Sequence, residues 1–195
     1  MFFLVRHATH ELVDRILCGR MADVKLGEEG RAQARRVAQR LARERIAAIH
    51  TSPLERARET AAPIAEQLDL VPEIHDTINE IDVGEWAGRD FGSLQSDPRW
   101  ASWNNARSVT RPPGGETMLE VQTRVIGHME RVRGAHPDGG VVLVSHGDVI
   151  KAALLYCLGM PIDGYRLFDI RPASVSTLVI GDWGAKVLSM NEVPG

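Results

Sequence analysis

"GVVLVSHGDVIKAALLYCLG", residues 140–159, passes from an unbroken apolar run into His-Gly-Asp and then into a helical apolar pattern. A strand without polar alternation is covered on both faces, which is the situation in a parallel sheet flanked by helices. The change of period at His146 marks a strand-to-helix junction. Two other stretches share the pattern. FFLV (2–5) is wholly apolar and runs into Arg6 and His7, and IAAIH (46–50) feeds TSPLERARETAA (51–62). Strands alternating with helices predict a three-layer α/β/α fold with a largely parallel central sheet, in one domain spanning 1–195.

Between these strands the helices are legible from spacing. Ala34, Val37, Ala38 and Leu41 recur at helical intervals and predict a helix over 28–43. Its other side carries Arg31, Arg35, Arg36, Arg40 and Arg43, with no aromatic residue among them, and reads as a solvated face. In the second helix Ser52, Pro53 and Glu55 match a capping box with proline at the first helical position, and Pro63 is expected to kink or tighten its middle. Thr117 and Glu120 form a second capping box, opening a helix to about Arg133. Residues 174–180 and 185–190 read as closing strands. Residues 71–115 are irregular. Their part from 86 to 115, with Trp86, Trp100, Trp103, Arg107 and Arg111, is expected to pass over the carboxyl edge of the sheet and cover a substrate.

Bulk composition excludes several classes. The 195 residues carry 23 basic and 26 acidic side chains, a net charge of −3, so no global field recruits nucleic acid or an anionic membrane. Cys18 and Cys157 are the two cysteines, too few for a disulfide framework and without metal-finger spacing. The FFLV run before Arg6 is far shorter than the apolar region expected of a signal peptide, and no apolar stretch reaches the roughly 20 residues of a membrane helix. The expected setting is the cytoplasm.

The three junctions matter together. Ligands of open α/β sheets bind at the carboxyl ends of the strands, where helix N-termini offer unpaired N–H groups to an anion. The first junction delivers Arg6 and His7, the second Arg56, and the third His146, Gly147 and Asp148. Guanidinium forks match phosphate oxygens, and a histidine can serve as a covalent nucleophile. Phosphoryl transfer suits this inventory, and an acid among Glu80, Asp82 and Glu85 can supply the proton that a leaving alkoxide needs.

At this point the chain resembles the histidine phosphatase superfamily, with its phosphoglycerate mutase-like fold, over nearly its whole length. Arg6-His7-Ala8-Thr9 stands for the family's opening R-H-G-x-T. Gly19, Asp23, Leu26, Gly30, Gln33 and Ala34 follow the next motif, and residues 51–61 match a third almost letter for letter. Glu80 with Gly84, Trp86 and Gly88, then Pro112–Thr117, then Val144–Gly147 complete the order. The resemblance implies a phosphohistidine mechanism: His7 as nucleophile, Arg6, Arg56 and His146 as phosphate partners, and Glu80 as proton donor and later base. It also implies contacts of Thr9 and Gly147 with substrate, and neither cofactor nor metal. A small-molecule phosphate ester is the implied partner, among them sugar phosphates, phosphoglycerate derivatives, phosphoserine and α-ribazole phosphate. A homodimer is compatible with the sequence. His10 stands where the family varies, and His50, His75, His128 and His136 match no motif and are expected to be ordinary surface or core residues.

The chain departs from the family at three points. Ala8 replaces a glycine and is expected to add a Cβ beside the pocket, Val13 replaces a phosphate-holding asparagine, and Gly27 stands where a hydroxyl residue often caps the next helix. Three alternatives remain beside hydrolysis. A phosphomutase uses the same residues, although mutases of the superfamily carry a longer segment before the third strand. A metal hydrolase would draw on His7, His10, His146 and Asp148, but Arg6 and Arg56 would repel its cation. The third is a phosphate-binding protein without catalysis.

Overall fold

The computed structural model describes residues 1–137 and 139–195. Six strands form one sheet in the order β3-β2-β4-β1-β5-β6. Strands β1 (Phe2–Arg6), β2 (Ile46–Thr51), β3 (Glu73–Ile74) and β4 (Gly140–Ser145) are parallel; β5 (Val175–Gly181) pairs antiparallel with β1, and β6 (Gly184–Glu192) antiparallel with β5. Helices α1 (Glu28–Leu41) and α2 (Glu55–Leu68) cover one face. Helices α5 (Met118–Ala135) and α6 (Gly147–Cys157) cover the other, with the short α3 (Phe91–Gln95) and α4 (Pro98–Asn105) at its rim.

The unbroken apolar strands follow from this sandwich. In β1, Phe3 and Val5 join the core under α1 and α2, while Phe2 and Leu4 join the core under α5 and α6. In β4, Val142 and Val144 face the first core, and Val141 and Leu143 the second. Every side chain is buried, so a one-residue register slip would exchange the two sets. The register places Arg6 opposite Ser145 and Thr51 opposite Val144, so the carboxyl ends of β1, β4 and β2 lie side by side.

Local expectations hold in part. The Thr117 box is formed: its hydroxyl accepts from the Glu120 N–H, and the Glu120 carboxylate accepts from the Thr117 N–H. The Ser52 box is not. Helix α2 begins at Glu55 after Leu54, with no side-chain cap, and it continues through Pro63 to Leu68. Gly27 precedes α1 without a side-chain cap either. Two half-buried arginines of α1 partner acids, Arg36 with Glu29 and Arg40 with Glu44 and Glu192. The irregular stretch contains a short parallel strand, β3, that spacing did not suggest. Among the described residues, no helix is long and apolar enough to cross a membrane.

Candidate active site

The side-by-side strand ends build a cavity of about 310 Å³ lined by Arg6, His7, His10, Arg56, Glu80 and Gly147, among others. His7 emerges directly from β1, with its N–H on the Ser145 carbonyl at 2.8 Å. Its Nδ1 lies 2.9 Å from the Ala8 carbonyl oxygen. A carbonyl only accepts, so Nδ1 carries the proton and Nε2 keeps its lone pair. Burial first, then the Arg6 and Arg56 charges, hold the His7 pKa well below the ordinary histidine value. The ring is therefore neutral at neutral pH, which is the nucleophilic form.

His146 directly follows β4 as the N-cap residue of α6 and is fully buried. Its Nε2 meets the Ser52 hydroxyl at 2.7 Å, and its ring centroid lies 5.2 Å from that of His7. This contact corrects the capping reading of Ser52: the hydroxyl is engaged with His146 and Asn79, and its one local bond, from the Leu54 N–H at 3.3 Å, lies ahead of the first turn of α2. Arg56, in the first turn of α2, is 2% exposed and donates to the Gly19 carbonyl through Nη2. Its Nε and Nη1, the Arg6 Nε, and the Nδ1 atoms of His10 and His146 are all buried without a hydrogen-bond partner among the described residues. Unpaired buried nitrogens of this kind are costly, and an anion with several oxygens would satisfy them together. The N-terminus of α6 adds its partial positive charge from Gly147.

Glu80 follows a 3-10 turn at Asp76–Ile78. Its Oε1 accepts from the Ile81 N–H at 2.9 Å, and Oε2 is 3.7 Å from His146 Nδ1. Arg20 and Arg124 both donate to its carbonyl oxygen, at 2.7 and 3.2 Å. Arg124 also donates to the Thr77 carbonyl, so α5 ties the acid's segment at two points. Gly84, at φ +53°, lets this segment lie against the Pro113 carbonyl where any Cβ would collide. Burial first, then the neighbouring Asp148, push the Glu80 pKa up to about 7. A carboxylic acid half-protonated at neutral pH is matched to general acid–base work.

The remaining expectations divide. His10 faces the cavity, its ring stacked 5.3 Å from His7, and burial together with Arg56 and Arg6 lowers its pKa to about 4. Val13 lines the cavity as well. Ala8 does not: its side chain packs in the α1/α2 core and its N–H donates to Thr60. Thr9 also lies outside the lining, with its N–H on Gln33. Of the covering segment, Trp100, Trp103 and Arg107 reach the cavity. Trp86 is core, with its indole N–H on Asp97, and Arg111 pairs with Glu120 on the surface.

Sequence reasoning missed the roof's partners. Arg107 is 3% exposed and sandwiched between Trp103 and Tyr165, its Cζ 3.5 Å from each ring centroid. Asn104 and Asp148 take its N–H groups. Lys151, on α6, reaches the Tyr165 carbonyl and Asp169. Lys151 was hidden in an apolar helical run, and Tyr165 in a stretch with no periodicity.

Comparison with known proteins agrees with this geometry. The sequence pattern of the histidine phosphatase superfamily (branch 1) matches residues 2–193. Phosphoserine phosphatase 1 of Hydrogenobacter thermophilus is 33% identical over 190 residues, covering 96% of this chain and 90% of that protein. Phosphoglycerate mutase-like protein 4 of Arabidopsis thaliana is 30% identical over 184 residues, covering 85% and 79%. The solved structure of a mycobacterial glucosyl-3-phosphoglycerate phosphatase superposes with a TM-score of 0.88 at 25% identity, covering 98% of each chain. With its motifs in order along the strand ends and the pattern matched from residue 2 to residue 193, the chain belongs to branch 1 of the histidine phosphatase superfamily.

Proposed function

We propose that the protein is a phosphomonoesterase that hydrolyses a small phosphate ester through a phosphohistidine on His7, without a catalytic metal. The observation that carries this reading is the group of unpartnered buried nitrogens from Arg6, Arg56, His10 and His146 around the free Nε2 of His7. Two guanidinium charges there favour a phosphate and oppose a cation.

In the first step His7 Nε2 attacks phosphorus, the N–P bond forms and the P–O bond to the leaving group breaks. The Glu80 carboxylic acid gives its proton to the departing oxygen, releasing an alcohol. Glu80, now a carboxylate, takes a proton from water as that water attacks phosphorus. The N–P bond breaks, phosphate leaves, and both side chains return to their starting states. Arg6, Arg56 and His146 stabilise the charge on the equatorial oxygens throughout.

Beyond the phosphate, the cavity offers Asp14, Asp148 and Asp169 beside Lys151, Arg107 and Asn104. This mixture of charges suits a polar leaving group bearing hydroxyl, amino or carboxylate functions, and phosphoserine and sugar phosphates belong to that class. Two free cysteines fit a reducing cytoplasm as its setting.

The test is rapid quench at neutral or alkaline pH, followed by mass spectrometry of the Glu80→Gln variant with an activated aryl phosphate. Phosphate on His7 is expected. Label on another residue would reject the mechanism. Return of the phosphoryl group to a second position on the substrate would make the protein a mutase.

A further inference from the structure

The histidines outside the pocket are not scattered. His50 on β2, His75 just after β3 and His128 on α5 each offer a ring nitrogen, and these three atoms lie within 4.8 Å of one another. The topology brings them together. His50 is the register partner of Glu73, and His75 lies two residues beyond Glu73, so all three lie on the same side of the sheet edge. Helix α5 packs on that side and supplies His128. The ring centroids of His50 and His75 are 4.3 Å apart, and those of His75 and His128 are 4.7 Å apart.

We infer that His50, His75 and His128 form a binding site for a single Zn²⁺ ion at the β3 edge of the sheet, with Glu73 and Thr77 as its supporting partners. Tetrahedral zinc with bonds of about 2.0–2.1 Å sets its ligand atoms roughly 3.3 Å apart. His50 Nδ1 and His128 Nε2 are 3.0 Å apart, joined by a hydrogen bond whose proton moves to His50 Nε2, on the Glu73 side, when the ion takes its place. His75, with its side chain 33% exposed, is the ring free to close the third edge.

The surroundings prepare these nitrogens. Thr77 Oγ1 lies 2.8 Å from His128 Nδ1 and can accept its proton, which leaves Nε2 as the lone pair that faces His50. Glu73 Oε2 lies 3.3 Å from His75 Nε2 and 3.8 Å from His50 Nε2, a nitrogen that is buried without a hydrogen-bond partner among the described residues. A carboxylate behind ligating imidazoles, and a hydroxyl behind the third, are the outer partners that orient such ligands. Imidazoles without thiolates favour zinc, nickel or copper over magnesium or calcium. None of the three rings lines the phosphate cavity.

The bound ion would fasten the two-residue β3 to the central sheet and to α5, a stabilising role independent of turnover. The test uses the full chain, stripped with EDTA, dialysed and titrated with Zn²⁺ against a chromophoric chelator. One equivalent should bind with sub-micromolar affinity. His75→Gln should weaken it at least tenfold, while His10→Ala and saturating vanadate should leave it unchanged. At a hundredfold excess over Kd, zinc should raise Tm by about 5–10 °C. Co²⁺ in zinc's place should give the intense visible bands of a tetrahedral centre, a readout that needs no variant. Absence of binding tighter than about 10 µM, binding indifferent to His75→Gln, displacement by vanadate, or a weak octahedral Co²⁺ spectrum would each overturn the assignment.

Discussion

The seven histidines of this chain fall into two groups that each have a buried nucleus and differ in their company. His7, His10 and His146 stand with Arg6 and Arg56 at the strand ends. His50, His75 and His128 stand with Glu73 and Thr77 at the sheet edge, with His136 nearby at a ring separation of 6.3 Å from His50. In both, burial is the main force keeping the buried rings neutral. A neutral imidazole beside guanidinium groups is a nucleophile for an anion's phosphorus. The same imidazole beside a carboxylate and a hydroxyl is a ligand for a cation. The neighbours, and not the rings, divide the chemistry.

Single substitutions should separate the groups most sharply. His7→Ala is expected to abolish turnover, a loss above about 10⁴-fold, whereas His75→Gln should leave aryl phosphate hydrolysis within about twofold of the parent. Steady-state assays of both variants check this, and an active His7→Ala would erase the distinction.

Glu80→Gln should cost roughly 10²–10⁴-fold on an alkyl phosphate and less on an aryl phosphate, whose leaving group needs little protonation. The acid form must be present for the first step, so kcat/KM for the alkyl ester should fall as pH rises through about 7. That limb should vanish from the pH profile of Glu80→Gln.

The raised pKa also bears on stability. Glu80 is more easily ionised in the unfolded chain, near the ordinary 4.5, than in the folded one, near 7. Its contribution is therefore intact below about pH 4.5, declines between 4.5 and 7, and is lost above. Glu80→Gln should be more stable than the parent at pH 8 by about 1–3 kcal/mol, with the gap closing towards pH 4.5. Urea titrations at the two pH values measure it.

Arg107→Ala should reorder a panel of phosphate esters by about tenfold while a small aryl phosphate is still turned over. An unchanged order would make the Trp103–Arg107–Tyr165 stack mere cover. The smallest effect concerns metal: excess EDTA should change aryl phosphate turnover by less than about twofold while removing any zinc-dependent gain in Tm. Loss of turnover restored by a divalent ion would merge the two histidine groups into one function.

The strands and their junctions were legible because burial on both faces leaves an unbroken apolar run. The pocket was legible because its residues sit at those junctions within recognisable motifs. Ser52 misled because S-x-x-E is a local signal, while its bond to His146 is a contact across 94 residues. Ala8 misled in a similar way: it follows His7 in sequence, yet it lies beyond the end of β1 and its side chain packs in the α1/α2 core. The edge histidines carried no signal at all. Residues 50, 75 and 128 become neighbours only when a two-residue strand pairs and α5 packs over it, and neither event leaves a periodic trace.

Strand β4 lies between β1 and β2, and this order has a consequence for synthesis. A nascent chain that has emerged only to residue 139 holds Arg6, His7, Arg56 and Glu80, yet its first two strands have no shared edge to pair along. The central strand arrives late and inserts between elements made long before it, a non-local closure of the kind that slows folding. Until then two apolar strands stand with open edges, the interval in which the chain is most exposed to aggregation and proteolysis. No shortened product ending before β4 can assemble the phosphate cavity, so catalytic competence becomes a signal that synthesis has passed β4 and that this strand has found its place.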